Sequence, residues 1–139
     1  RPGAKPINNF GLGGKGRYRK NVWQYPGANA FGRDRDKHLA MHPTVKPVAL
    51  VADALKDCSS RRDTVLDPCG GSGPTIIAAE RTGRSARLIE YDPLYCDVIV
   101  QRWQSSTGKT ARLAETDETF DQVRARRGLS QSTPVERKA

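Results

Sequence analysis

Long apolar runs are absent from this 139-residue chain. No stretch approaches the roughly 18 consecutive apolar residues that a membrane-spanning helix needs, and the amino end lacks the basic-then-apolar pattern of a signal peptide. Hydrophobic residues make up 36% of the chain and aromatic residues only 6%, a lean supply for a chain that must bury a sizeable core. These absences argue against a secreted or membrane-spanning protein, and the length allows a single domain.

Cysteine is also scarce. The three residues, Cys58, Cys69 and Cys96, are widely spaced and form no Cys-x-x-Cys pair. A disulfide framework or a zinc site would need paired ligands at closer spacing. We therefore expect no metal site and a location in the reducing cytoplasm.

Positive charge is abundant but uneven. The chain has 24 Lys and Arg against 15 Asp and Glu, a net charge of +9. Residues 1–46 hold ten of the basic residues and two of the acidic ones, a net charge of +8. Four closely spaced glycines and five aromatic residues lie in the same stretch. Residues 1–41 have no hydrophobic period, which predicts a loop region. Such a region either binds nucleic acid, through phosphate neutralisation and base stacking, or is a solvated arm whose aromatic residues pack on the neighbouring domain.

Apolar periodicity and breaker residues in the rest of the chain predict helices alternating with short strands. Strand, glycine loop, helix and strand within about thirty residues form a βαβ unit, which implies a parallel sheet. Two strands are too few for an open doubly wound sheet, so the core is either part of a larger chain or completed by another polypeptide. The predicted elements are a helix at 47–58 capped by Thr44 or a neighbour, a strand at 64–66 ending at Asp67, a helix from 74 to about 81, a strand at 87–91, a helix from Asp92-Pro93 to 107, a short helix from Thr119, and a frayed tail beyond Gly128.

The loop from Asp67 to Thr75 reads Asp-Pro-Cys-Gly-Gly-Ser-Gly-Pro-Thr. It is neither a P-loop, which ends in Gly-Lys-Ser/Thr, nor a G-x-G-x-x-G dinucleotide fingerprint. An acidic group at the strand end repels a pyrophosphate and favours a cationic ligand, and Glu90, predicted to end the second strand, suits ribose hydroxyls. Together, Asp67 and Glu90 indicate a ligand that is a nucleoside with a positively charged amino-acid arm, S-adenosylmethionine. The alternative is a plain turn with Glu90 as a solvated strand end.

Three segments in this order resemble the carboxyl-terminal half of the DNA amino-methyltransferases: His42-Pro-Thr-Val-Lys-Pro47, the 67–75 loop, and Ile89-Glu-Tyr-Asp-Pro-Leu-Tyr95. These are adenine-N6 or cytosine-N4 enzymes in the permuted arrangement where the cofactor motifs come last, and the match covers roughly residues 20–104. The resemblance implies an α/β, Rossmann-like S-adenosylmethionine-dependent methyltransferase fold with a partial parallel sheet. The expected regions are a basic, DNA-facing loop region at 1–41, a cofactor-binding βαβ half-domain at 42–108 and a polar, partly disordered tail at 109–139.

The resemblance also implies site residues. Thr44 and Lys46 would hold the methionine carboxylate, Asp67 the ammonium and Glu90 the ribose, with the glycine loop wrapped around the ligand. Pro74 departs from the family pattern and removes one backbone N–H. The implied cofactor-binding residues are Thr44, Lys46, Asp67, Pro68, Gly71, Ser72, Gly73, Thr75, Glu90 and Asp92, and the implied DNA contacts are Arg17, Arg19, Lys20, Trp23 and Arg33.

The catalytic tetrapeptide of this family, Asp/Asn/Ser-Pro-Pro-Tyr/Phe/Trp, does not occur in the chain. Its nearest match, Asp92-Pro93-Leu94-Tyr95, has one proline and is predicted to begin a helix, so we assign no catalytic residue. We read the chain as an inactive fragment of an enzyme that acts on double-stranded DNA with a flipped target base, the tetrapeptide lying in a missing amino-terminal part. The alternatives are a non-catalytic nucleic-acid-binding module with a degenerate cofactor pocket, and a methyltransferase for RNA or protein.

Overall fold

The computed structural model describes residues 7–10, 22–26 and 45–128. Strands β1 and β2 pair in parallel, with Thr64 opposite Ser85 and Asp67 opposite Leu88, and a helix connects them as predicted. No helix in the described ranges is long and apolar enough to cross a membrane. The elements are α1 (Val48–Cys58), β1 (Thr64–Asp67), α2 (Pro74–Thr82), β2 (Ser85–Leu88), α3 (Pro93–Thr107) and α4 (Phe120–Arg126).

The core lies between α1, α2 and one face of the sheet. Its centre is formed by small residues of α2, Ala78 and Ala79, together with Ala52 and Leu55 of α1. Alanine side chains allow the two helix backbones to approach closely, so few large side chains are needed to close this layer. Side chains alternate along β1: Val65 packs against this core, whereas Leu66 on the opposite face is 66% exposed.

The second strand begins and ends earlier than the sequence pattern predicts. The prediction was 87–91, and β2 spans Ser85–Leu88. The large hydrophobic side chains of 88–91 give a misleading strand signal, because Ile89 and Tyr91 are exposed. The left-handed Gly83 ends α2 and turns the chain directly into the pairing register with β1. Glu90 therefore lies in the loop after β2 and does not end the strand.

Helix ends follow their local signals. The Asp92 side chain accepts a hydrogen bond from the Leu94 amide at the start of α3, and Gly108 ends that helix in the left-handed conformation. Thr119 and Gln122 form the predicted capping box of α4. Helix α1 differs, because Pro47 occupies its N-cap position without a side-chain cap. Thr44 and the tail beyond Gly128 lie outside the described residues.

Candidate cofactor site

The glycine loop and the loop after β2 are joined at the carboxyl edge of the sheet. Beyond the last strand pair, the Ile89 amide donates to the Asp67 carbonyl at 2.9 Å, and the Gly70 amide donates to the Ile89 carbonyl at 2.9 Å. The parallel ladder thus continues into both loops. As a result, the two acidic residues singled out in the sequence, Asp67 and Glu90, are held at the same edge.

The Asp67 carboxylate is oriented by its own loop. One oxygen accepts a hydrogen bond from the Cys69 amide at 3.0 Å, and the other accepts from the Thr75 hydroxyl at 2.6 Å. Thr75 is buried in the first turn of α2. Since a carboxylate has about four lone-pair positions, these two bonds fix its orientation and leave acceptor capacity for a ligand.

The Glu90 carboxylate bridges the two loops. One oxygen accepts from the Gly71 amide at 2.6 Å, and the other accepts from the Asp92 amide at 3.0 Å. The side chain is therefore a fixed acceptor beside the loop, and the plain turn with a solvated glutamate does not describe it.

Two of the loop glycines are required by helix α3. A Cβ on Gly73, whose φ is +76°, would lie 3.1 Å from two side-chain carbons of Ile99. A Cβ on Gly70 would lie 3.1 Å from Ile99 Cδ1 and 3.3 Å from Leu88 Cδ2. The Gly73 amide donates to the Gly70 carbonyl at 2.9 Å, which closes the turn. Gly70 and Gly73 thus allow the loop backbone to pack closely against the buried Ile99. Gly71, with φ of +53°, donates its amide hydrogen bond to Glu90.

Ser72 is 3% exposed, and its carbonyl oxygen accepts a hydrogen bond from Arg102 Nη1 of α3. Across the described ranges, no group forms a hydrogen bond with the Ser72 side-chain hydroxyl. Buried hydroxyls normally have a partner. The loop therefore contains a buried hydroxyl that lacks a partner among the described residues.

Arg102 was not identified from the sequence. Its guanidinium is half-buried, and this desolvation lowers the pKa of Arg102 from its ordinary value. Arginine nevertheless stays protonated in proteins. Arg102 lies three residues after Ile99, so both side chains are on the same face of α3. This spacing is the one sequence signal that could have placed Arg102 near the glycine loop.

Of the remaining predicted residues, Pro68 and Asp92 adjoin the site, whereas the others lie elsewhere or outside the described residues. Pro68 and Lys46 are exposed, and the Asp92 carboxylate is used as the helix cap described above. The resemblance of 92–95 to the catalytic tetrapeptide is thus explained by the start of α3. Arg17, Arg19, Lys20, Arg33 and Thr44 lie outside the described residues.

Trp23 is half-buried. It belongs to the described stretch 22–26, which is attached to α1. The Tyr25 hydroxyl donates to Asp53 Oδ2 of that helix. The stretch 7–10 is attached to the end of the same helix, where the Phe10 amide donates to Asp57 Oδ1 at 2.6 Å. Parts of the basic amino-terminal region therefore pack on the α/β unit.

Metal-binding clusters are not found among the residues that the structure describes: no three His, Cys, Asp or Glu side chains are grouped to hold an ion. The cysteines are unpaired. Burial and the nearby Glu90 raise the pKa of the Cys96 thiol above its ordinary value.

A glycine loop between parallel strands, flanked by two carboxylates at the carboxyl edge, defines a Rossmann-like α/β ligand-binding unit. The family model described as DNA methylase (the N6/N4 methyltransferases) matches residues 5–101. The chain therefore belongs to the DNA methylase family, as the three motifs predicted.

Individual relatives agree with this assignment. Type II methyltransferase M.ScaI of Streptomyces caespitosus is 32% identical over 61% of this chain and 28% of its own length. Type II methyltransferase M2.MboI of Moraxella bovis is 28% identical over 63% of this chain and 31% of its own. The chain thus spans less than a third of the length of these curated relatives.

A solved structure, that of the M1.HpyAVI-SAM complex, is similar with a TM-score of 0.51 and 25% identity. The likeness covers 72% of this chain and 45% of that one. It confirms the predicted methyltransferase fold with a partial parallel sheet.

Proposed function

We propose that the protein containing this chain transfers a methyl group from S-adenosylmethionine to an exocyclic amino group of adenine or cytosine in double-stranded DNA. The observation that carries the proposal is the pair of carboxylates, Asp67 and Glu90, fixed on either side of the glycine loop in a chain of the DNA methylase family. This proposal includes a cytoplasmic location, where thiols such as the exposed Cys58 and Cys69 stay reduced.

The residues present fit this cofactor. Asp67 would accept hydrogen bonds from the methionine ammonium, and its negative charge attracts the cationic ligand. Glu90 would receive the ribose hydroxyls, and the buried Ser72 hydroxyl would gain the partner that the described residues do not provide. Thr44 and Lys46 would lie toward the methionine carboxylate, with Pro68, Gly71, Gly73, Thr75 and Asp92 completing the surrounding loops.

The bound cofactor supplies a methyl group that is already electrophilic on its sulfonium sulfur. The main demand on the protein is to align the two reactants and exclude water. In this chain the oriented Asp67 and Glu90 carboxylates bind and orient the donor, and no residue is assigned to the reacting amine. The chain alone is therefore proposed to be inactive.

The rest of the protein would complete the enzyme. We place the catalytic tetrapeptide and further strands outside these 139 residues, and the exposed sheet face around Leu66 is consistent with a missing layer. The target base would be flipped out of the duplex toward that tetrapeptide. On the DNA side, Arg17, Arg19, Lys20 and Arg33 would neutralise phosphates, and Trp23 would also contact the DNA. Three of these cations lie in the sequence between 7–10 and 22–26, the two stretches attached to α1.

The first test uses the intact protein and its Asp67→Ala and Asp67→Asn variants. Wild type should label DNA from radiolabelled cofactor, and calorimetry should show about 100-fold weaker binding for Asp67→Ala, since a charged hydrogen bond contributes up to about 3 kcal/mol. Asp67→Asn, which keeps an acceptor but no charge, should lie between them. Asp63→Ala is the matched control, because Asp63 caps a turn at the opposite end of β1 by accepting from the Ser60 amide at 2.8 Å.

Unchanged binding by Asp67→Ala would reject the site. A wild type that binds DNA with a steep salt dependence but has no affinity for the cofactor would instead identify a non-catalytic nucleic-acid-binding module. Labelling of RNA or protein, with DNA unlabelled, would reassign the substrate.

A further inference from the structure

The contact between Arg102 and the glycine loop is not explained by the proposed ligand contacts alone. Arg102 lies in the second half of α3, and its guanidinium donates to the carbonyl oxygen of Ser72 in the middle of the loop. Ile99, on the same face of the helix, contacts the loop beneath Gly70 and Gly73. The face of α3 that includes Ile99 and Arg102 is therefore the surface on which the loop rests.

The hydrogen bonds hold the Ser72–Gly73 peptide from both sides. The carbonyl of this unit accepts from Arg102, and its N–H donates to the Gly70 carbonyl at 2.9 Å. A trans peptide is planar, with its C=O and N–H pointing in opposite directions. Fixing both ends leaves this peptide unit no freedom to rotate, so the loop backbone from Gly70 to Gly73 is set relative to α3.

The charge of Arg102 is not required for packing. Within the described ranges no carboxylate lies within ion-pair distance of its guanidinium, and a half-buried cation pays a desolvation penalty. An apolar side chain of similar length, such as Met, would fill the same space without that penalty. What the guanidinium adds is a charge-assisted hydrogen bond to the loop carbonyl, which is roughly twice as strong as a neutral one.

We propose that Arg102 is a positioning residue for the cofactor loop: by holding the Ser72 carbonyl against α3, it keeps the loop in the conformation that receives the ligand. This inference rests on the proposed function for the identity of that ligand, S-adenosylmethionine. This role does not require Arg102 to contact the ligand. It acts through the backbone of Ser72.

The experiment compares Arg102→Met and Arg102→Lys with wild type in the intact protein. Hydrogen–deuterium exchange without ligand measures the loop directly, and Arg102→Met should speed exchange in the 69–75 peptide about tenfold. Calorimetry with S-adenosylmethionine should show about tenfold weaker binding, within the range of a lost charged hydrogen bond. Arg102→Lys keeps a charged donor and should restore binding to within about threefold of wild type.

A control and a kinetic readout separate positioning from general stability. Arg81→Met removes an exposed arginine on α2 whose side chain, among the residues that the structure describes, donates only to Ser106 Oγ, at 3.2 Å. It should leave loop exchange and cofactor affinity within about twofold of wild type. In Arg102→Met, KM for the cofactor should rise while KM for DNA and kcat stay unchanged. A structural defect would instead alter all three together with Tm.

Each outcome decides the inference. Faster loop exchange together with weaker cofactor binding, partly rescued by Lys, supports it. Wild-type exchange and affinity in Arg102→Met overturn it, as does a general loss of stability that Lys does not rescue. If wild type itself fails to bind S-adenosylmethionine, the proposed function fails and the role toward this ligand falls with it, while the exchange data still show whether Arg102 holds the loop.

Discussion

Gly73→Ala tests whether the glycine loop is shaped by helix α3. Alanine in the left-handed region costs about 1–2 kcal/mol, and at Gly73 the φ is +76°. The new Cβ would also lie 3.1 Å from Ile99 Cγ1 and Cγ2, an overpacked contact that costs a further 1–3 kcal/mol or so. We therefore expect the free energy of unfolding of the intact protein to fall by about 2–5 kcal/mol, measured from the urea midpoint.

Gly108→Ala provides the matched control. Gly108 has a φ of +70°, and a Cβ there would meet no atom within 4 Å, so the substitution should show the backbone cost alone, about 1–2 kcal/mol. The difference between the two variants measures the contact with Ile99. In an Ile99→Ala background, which removes Cγ1 and Cγ2 but keeps the Ile99 Cβ at 3.3 Å, Gly73→Ala should cost less than it does in the wild-type background. Equal costs for the two glycine variants in the wild-type background would refute the packing argument.

Two further predictions concern the carboxyl-terminal part of the described chain. Thr119→Ala removes the hydroxyl that accepts a hydrogen bond from the Gln122 amide at 3.2 Å, and it should destabilise α4 by about 1 kcal/mol. The loss should appear as faster hydrogen exchange in 120–126. Unchanged exchange would mean that the capping box does not stabilise this helix. The hydrogen bond from Lys109 lowers the pKa of Glu80 below its ordinary value of 4.5, so this carboxylate stabilises the fold above that pH and the contribution is lost as the pH falls through the lowered pKa. Lys109→Met should therefore reduce the fall in Tm between neutral pH and a pH below 4.5, and an identical fall in both proteins would contradict this assignment.

The elements that could be predicted from the sequence have short-range causes. Strand β1, the loop after it and the helix starting at Pro74 were recognised from neighbouring residues, because glycine and proline restrict the backbone locally. The Asp92 cap and the Thr119 capping box depend on side chains that bond an amide two or three residues away. Such signals lie within one turn of chain, so they survive without knowledge of the tertiary structure.

The second strand shows where this reasoning fails. The segment from Leu88 to Tyr91 has three large hydrophobic residues typical of a strand, but the observed strand begins at Ser85, because pairing with β1 determines its register. Strand composition reports burial and neighbours more than backbone preference. The position of Glu90 relative to the strand depends on this register. The sequence pattern predicts that Glu90 ends the strand, whereas in the structure it lies in the loop that follows.

Taken alone, the sequence determined the family, the βαβ order and the identity of the two acidic residues beside the glycine loop, since these are read from ordered local motifs. Only the tertiary structure decided how those residues are held. Glu90 meets the Gly71 amide across 19 positions, and Arg102 meets the Ser72 carbonyl across 30. The spacing of Ile99 and Arg102 places both on one face of a helix, but strand register and helix packing decide what that face contacts, and a linear pattern of residue types does not specify them.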